Sequence, residues 1–105
     1  MNIETGSTAV VRTVTLDVPL ARGEQTIATI QIRKPKSGEL RGLTLLALHQ
    51  LDYNALENLL PRITIPPLHK GEIAALDPAD LTQLGSEVMD FLLPKAAKPE
   101  ASPSA

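Results

Sequence analysis

The feature that most constrains this chain is a leucine-rich stretch at residues 40–60. Nine of the 17 leucines in the 105-residue sequence lie there, at spacings typical of a helix. Their apolar arc is so wide that only Gly42 and His49 mark an outer side. A possible turn at residues 52–54 divides the stretch, and Pro61 is expected to end it. We therefore predict a helix pair or a kinked helix that is too apolar for a single interface.

Two segments with period-two patterning precede this stretch. One face of the first segment carries Val14, Leu16, Val18 and Leu20, and one face of the second carries Ala28, Ile30 and Ile32. A short polar link at residues 21–25 joins them and contains Gly23, which can adopt a positive φ angle. Pro19 cannot donate to a β-ladder, so it is expected near the end or the outer edge of its strand. The pattern predicts an N-terminal β-hairpin.

The remaining segments complete an α+β domain. Ser37 is placed to cap a helix near Gly38, residues 62–67 read as a connector, and residues 69–76 as a weak helical turn. Asp77 followed by Pro78 is a strong start signal for an amphipathic C-terminal helix. We predict a flexible N-terminus at residues 1–12, a single domain at 13–93 and a disordered Pro/Ala-rich tail at 94–105.

Composition and charge argue against several classes of function. The net charge is −2, and residues 42–93 carry seven acidic but only two basic side chains, so a nucleic-acid face is not expected. The chain contains no cysteine, which removes disulfides and thiolate metal sites. No apolar run approaches the length of a membrane span, and the start lacks the pattern of a signal peptide. We expect a soluble protein of the cytoplasm.

Residues that could carry catalysis are few and scattered. The two histidines, His49 and His69, lie about twenty residues apart without a metal-binding spacing, and both are expected to be solvated. Helix capping is a sufficient role for Asp77 and Asp80, and the glycines form no phosphate-binding motif. We therefore predict no catalytic, cofactor-binding or metal-binding residues, and no enzyme.

What remains is apolar surface available to another protein. The predicted partner-binding residues are Leu45, Leu46, Leu59, Leu60 and Met89. The competing interpretation is that the hairpin and the last helix bury all of these leucines in an ordinary monomeric core. A basic cluster formed by Arg33, Lys34, Lys36 and Arg41 is interpreted as the solvated end of the hairpin, with an acidic protein partner as the alternative.

The order of these features resembles a known family. Residues 14–20 are followed by the Ile-Arg-Lys-Pro and Gly-Glu-Leu-Arg segments within residues 31–41, then by Leu-Asp-Pro-Ala-Asp-Leu at residues 76–81 and by residues 88–92. Together they are similar to the phage tail assembly chaperones of the E/41/14 type, known from contractile-tailed, Mu-like phages and prophages. The resemblance covers residues 13–93.

The resemblance implies a non-enzymatic role. Such a protein would bind the tape measure protein, keep it soluble and be displaced as tail tube subunits polymerise. A longer product of ribosomal frameshifting could contact the tube subunits. The protein would act in the host bacterial cytoplasm and be absent from the mature virion, and we also expect a homo-oligomer. The alternative function is a structural tail component that is retained in the virion.

Overall fold

A computed structural model of the chain describes residues 10–94 and residue 96. The chain forms strands β1 (Val11–Arg22) and β2 (Gln25–Arg33), a 3₁₀ turn (Ser37–Leu40), helices α1 (Leu45–His49) and α2 (Tyr53–Ile63), strand β3 (Thr64–Ile65), and helices α3 (Lys70–Ala75) and α4 (Pro78–Leu92). The predicted α+β class is confirmed, as are the N-terminal hairpin, the helix pair and the C-terminal helix.

The three strands form an antiparallel sheet in the order β1-β2-β3. The β1–β2 ladder is interrupted, because Thr15 pairs with Thr29 whereas Leu20 pairs with Ile27. Residues 16–19 therefore bulge out opposite the single residue Ala28. A bulge changes which face each side chain occupies, so Val18 is 51% exposed and Ala28 is also exposed. The prediction that these two residues lie on the buried faces of their strands was wrong.

A buried carboxylate holds this bulge in place. The amide nitrogens of Asp17 and Val18 donate to the two carboxylate oxygens of Asp80, at 2.7 and 3.0 Å. Asp80 lies in the first turn of α4 and is completely buried. Charged acceptors of backbone N–H groups form stronger hydrogen bonds than neutral ones, and the helix N-terminus also favours the negative charge. The bulge and the start of α4 are therefore held together.

One core joins the sheet to the helices. Val14, Ile30 and Ile32 lie on the covered face of the sheet, whereas Thr13, Thr15 and Gln31 are exposed. Other members of the core are Leu16, Leu20, Ile27, Leu48, Ala55, Leu56, Leu59, Leu60, Ile63, Leu68, Ile73, Leu76, Leu84, Val88 and Phe91. Four of the nine leucines between residues 40 and 60 belong to this core, so much of the leucine-rich stretch serves ordinary packing.

Helix α2 continues past Pro61, which was predicted to end it, and reaches Ile63. Proline lacks an amide hydrogen but does not prevent the residues after it from remaining helical near a C-terminus. Ile63 is fully buried, and the hydroxyl of Thr64 donates to the carbonyl oxygen of Leu60 at 2.7 Å. Tertiary burial and this side-chain cap therefore outweigh the local effect of Pro61.

Several other boundaries differ from the predictions. Ser37 begins a 3₁₀ turn rather than capping a helix, because Glu39 accepts from the amide of Lys36 at 2.9 Å. The predicted connector contains the short strand β3, and β1 begins at Val11 rather than Thr13. Of the predicted flexible N-terminus at residues 1–12, residues 1–9 lie outside the described residues, whereas residues 11 and 12 belong to β1. The predicted disordered tail also lies outside the described residues, apart from Pro94 and Ala96.

We predict that Asp80→Asn lowers the free energy of unfolding by about 1–3 kcal/mol, because an amide leaves one of the two backbone donors of the bulge without its acceptor. Asp77→Asn is the matched control. Asp77 is half-buried and caps α4 by accepting from the amide of Ala79 at 3.0 Å, and asparagine caps helices equally well. Urea denaturation measures the stability of both variants. A similar loss of stability in the two would contradict the conclusion that the Asp80 carboxylate holds the bulge.

Candidate functional site

Helix α1 is a single short turn held between two capped ends. The hydroxyl oxygen of Thr44 accepts from the amide of Ala47 at 3.0 Å, which fixes the start of the helix. After the helix, Leu51 adopts a left-handed conformation with φ of 56°, and Asp52 then caps α2 through the amide of Ala55 at 3.0 Å. The chain therefore reverses sharply on both sides of α1, and the orientation of the helix is set locally.

Leu48 determines which side of α1 faces outwards. Its side chain is fully buried in the core and Ala47 is half-buried against it. The preceding pair of leucines remains exposed, with Leu45 56% exposed and Leu46 66% exposed. The tertiary structure thus presents two adjacent leucines to solvent, and these two are among the five predicted partner-binding residues.

The other three predicted partner-binding residues have different positions. Leu59 and Leu60 are fully buried, because α2 turns its apolar face towards the core. The expectation that they form an external surface needs correction, since a partner cannot contact them while the core is intact. Met89 is half-buried on α4. The structure therefore separates the predicted set into an exposed pair, a buried pair and an intermediate residue.

Further apolar side chains flank the exposed pair along the chain. Leu51 is 37% exposed and Tyr53 is 39% exposed. The Tyr53 hydroxyl donates to Glu57 at 2.9 Å, and this hydrogen bond raises the pKa of Tyr53. Leu51 lies close to Gly85 of α4, where an added Cβ atom would come within 3.1 Å of its side chain. The absence of a side chain at Gly85 therefore allows the α1–α2 turn to approach α4.

A cleft of about 600 Å³ lies between the hairpin turn and α3. On its wall Arg22 donates from Nε and Nη2 to both carboxylate oxygens of Glu72, at 2.8 and 2.5 Å. This pairing lowers the pKa of Glu72 to about 2. His69 caps α3, because its Nδ1 atom accepts from the amide of Glu72 at 3.3 Å. The polar groups of the cleft are thus engaged in structural contacts.

Acidic side chains of α4 also have structural partners. Glu87 and Asp90 of α4 both contact the guanidinium of Arg12, which lies 4.6 Å from the centre of the Phe91 ring. His49 is exposed. The sequence analysis did not predict that Asp80 holds the bulge. The hydrogen bonds of Asp80 join residues more than sixty positions apart and therefore leave no local pattern.

The predicted basic cluster is only partly solvated. Arg33 forms a two-pronged ion pair with Glu39, with one contact at 2.7 Å, and also donates to the carbonyl oxygen of Arg62 at 2.8 Å. The Arg33 hydrogen bonds are the main cause that lowers the pKa of Glu39 to about 2. Lys34, Lys36 and Arg41 are exposed. Arg33 therefore ties the end of the hairpin to the 3₁₀ turn and α2.

Within residues 10–94 and residue 96, no three His, Cys, Asp or Glu side chains are grouped as a metal ion would require. Over the same residues, none of the helices combines the length and the apolar character that crossing a membrane demands.

The described residues thus form a small domain that presents an outward pair of leucines on α1. Residues 13–93 match the family of phage tail assembly chaperone proteins described as E, or 41 or 14. Because the match covers most of the sequence, the chain belongs to this family. Tail assembly chaperones are not a known class of enzymes.

Two relatives come from Escherichia phage P2. The chain is 42% identical to tail assembly protein E over 85 residues, which cover 81% of this chain and 93% of that protein. It is 44% identical to tail assembly protein E' over 80 residues, which cover 76% of this chain but only 56% of that protein. No solved structure gives a significant match.

We predict that stability falls as the pH drops from about 4.5 to about 2. The pKa values of Glu39 and Glu72 are lower in the folded chain than their ordinary value of 4.5, so the folded state binds these protons more weakly than the unfolded state. Their stabilisation is therefore present above pH 4.5 and is lost as the pH falls through the folded pKa values.

Thermal denaturation across this pH range would measure the effect. Glu72→Gln should lower the stability near neutral pH and flatten the decline in acid, because the variant no longer takes up that proton on unfolding. Glu24→Gln, at an exposed position in the hairpin turn, should leave the pH profile unchanged. An equally steep decline in Glu72→Gln would show that other carboxylates account for it.

Proposed function

We propose that this protein binds the tape measure protein during phage tail assembly, keeps it soluble and is displaced as tail tube subunits polymerise around it. The observation that carries the proposal is the exposed pair Leu45 and Leu46 on α1. Membership of the tail assembly chaperone family supports the general role. The identity of the client and the order of events are the proposed part.

The geometry of α1 suits a reversible contact with an apolar helix. Leu45 and Leu46 project from a helix that Leu48 anchors to the core, so they need little rearrangement to meet a partner. Amphipathic helices are commonly recognised through a few leucine contacts of this kind. A patch this small binds weakly by itself, and several copies along a long client would hold it through avidity. Weak individual contacts would also permit displacement by tube subunits.

The proposal extends to the form and place of action of the protein. We propose that it self-associates, acts in the host bacterial cytoplasm, has no enzymatic activity and leaves the tail before the virion is complete. The match to both E and E' of phage P2 supports a second, longer product, because this chain spans nearly all of E but about half of E'. We propose that this longer product is made by frameshifting and contacts the tail tube subunits.

The client surface can be tested with the double variant Leu45→Glu/Leu46→Glu. We expect it to bind the tape measure protein at least about tenfold more weakly, because each buried leucine contributes about 1.5–3 kcal/mol. Co-expression with the tape measure protein of the same gene cluster, followed by measurement of soluble yield and pull-down, checks this. Both sites lie in the first turn of α1, where acidic residues are tolerated, so helix content should persist.

A variant of equal charge provides the control. Gln83→Glu/Ser86→Glu places two carboxylates at exposed positions of α4 and should leave client binding unchanged. Equal binding by both double variants would remove Leu45 and Leu46 from the interface. If the wild-type chain failed to raise the soluble yield of the tape measure protein, and also failed to capture it, the proposed function would be wrong.

The alternative of a structural component retained in the tail predicts a different particle composition. We expect purified virions to contain no stoichiometric amount of this protein, because an assembly chaperone is released when the tube replaces it on its client. Quantitative mass spectrometry of virions, with the tube subunit as internal reference, distinguishes the two functions. Presence at a fixed ratio to the tube subunit would favour the structural alternative.

A further inference from the structure

The two halves of strand β1 differ in whether their outer edge has features that prevent another strand from pairing with it. Among the described residues, β1 has β2 as its one strand neighbour, so its other edge faces away from the sheet. From residue 16 onwards that edge is interrupted by the bulge and Pro19, and Asp80 takes the amides of Asp17 and Val18. Bulges and prolines are devices that prevent strand addition. Residues Val11–Thr15 contain neither a bulge nor a proline.

One contact shows which residues of Val11–Thr15 direct their backbone groups towards β2 and which direct them to the outer edge. The amide of Lys34 donates to the carbonyl oxygen of Val10 at 2.8 Å, and the ladder continues without a shift from that pair to Thr15–Thr29. In an antiparallel ladder alternate residues point their backbone groups towards the neighbour. Arg12 and Val14 therefore bond to β2, whereas the backbone groups of Val11, Thr13 and Thr15 point to the open edge.

The side chains of these three residues also favour strand addition. Val11 is 43% exposed, and Thr13 and Thr15 are exposed on the same sheet face. All three are β-branched and uncharged, which favours β-pairing and gives no electrostatic barrier to a similar strand. The one charged side chain in the segment, Arg12, points to the opposite face and contacts Glu87 and Asp90.

We propose that a second copy of this chain pairs with β1 through residues Val11–Thr15, in antiparallel register with Thr13 opposite Thr13 of the other copy. This extends the self-association proposed above by naming its surface. The register places Val11 opposite Thr15 and yields about six backbone hydrogen bonds. The two three-stranded sheets then form one continuous sheet of two copies related by a two-fold axis.

The charge of Arg12 disfavours the neighbouring register. A shift that centred the axis on Arg12 would place two guanidinium groups directly opposite each other, which is unfavourable. In the proposed register Arg12 faces Val14 of the other copy. Each Arg12 then lies diagonally across from its symmetry mate and keeps the contacts with Glu87 and Asp90 of its own chain. The carboxylates of each copy offset the charge of its own arginine, so neither copy presents an unpaired guanidinium to the other.

The full-length chain tests this by sedimentation equilibrium over a wide range of concentration. Thr13→Lys places two like charges at the two-fold axis and should raise the dimer dissociation constant by at least about tenfold. Thr29→Lys is the matched control, because it adds the same charge to the same exposed face one strand further in, and it should change the constant little. Mixing Thr13→Lys with Thr13→Glu should restore association.

A crosslink gives an independent readout. The sequence contains no cysteine, so Thr13→Cys introduces a single thiol in each chain. Opposite residues of a hydrogen-bonded pair have Cα atoms about 5.5 Å apart, which is within disulfide range. Mild oxidation should crosslink Thr13→Cys efficiently and Thr29→Cys poorly.

Each other outcome overturns the proposal. A dimer that Thr13→Lys does not weaken would associate elsewhere, for example through Leu45 and Leu46, and the double Leu→Glu variant would then dissociate it. A chain that stays monomeric would contradict both this surface and self-association in general. Neither result bears on tape measure binding, which the co-expression and pull-down assay measures separately.

Discussion

The buried carboxylate of Asp80 is the contact on which the arrangement of sheet and helices depends. It binds two amides in the β1 bulge from the first turn of α4, and so joins the first strand to the last helix. A buried acceptor that loses its donors is costly, so the two elements are constrained to remain together. The same constraint positions Phe91 beneath Arg12, which reaches Glu87 and Asp90 on the far part of the helix.

This connection also divides the surface by role. The bulge closes the second half of the β1 edge, while the first half, Val11–Thr15, pairs regularly with β2 and has no further strand beside it among the described residues. Helix α1 lies elsewhere in the chain and presents Leu45 and Leu46 on a rigid base formed by Leu48. In our proposals the strand edge joins copies and the leucine pair holds the client. A chain with both surfaces could assemble along a long partner without a large interface at either site.

The folded protein divides the leucines of residues 40–60 into core residues and exposed residues. Leu48, Leu56, Leu59 and Leu60 fill the core, so the monomeric interpretation accounts for a large part of the leucine-rich stretch. Leu45 and Leu46 are exceptions because the one-turn helix α1 is anchored by a different residue and capped at each end. An exposed pair beside a well-filled core is consistent with the family to which the chain belongs.

Local patterns were sufficient to predict the α+β class, the hairpin, the α4 start at Asp77-Pro78 and the resemblance to tail assembly chaperones, because periodicity, caps and motif order are encoded within short segments. Only the tertiary structure decided that Val18 and Ala28 face solvent, that α2 passes Pro61, and that Leu59 is buried while Leu46 is not. The exposure of Val18 and Ala28 depends on the bulge, which Asp80 holds from more than sixty positions away. Burial in the core decides the other cases. Such contacts compete with local preference and leave no period in the sequence by which they could be recognised.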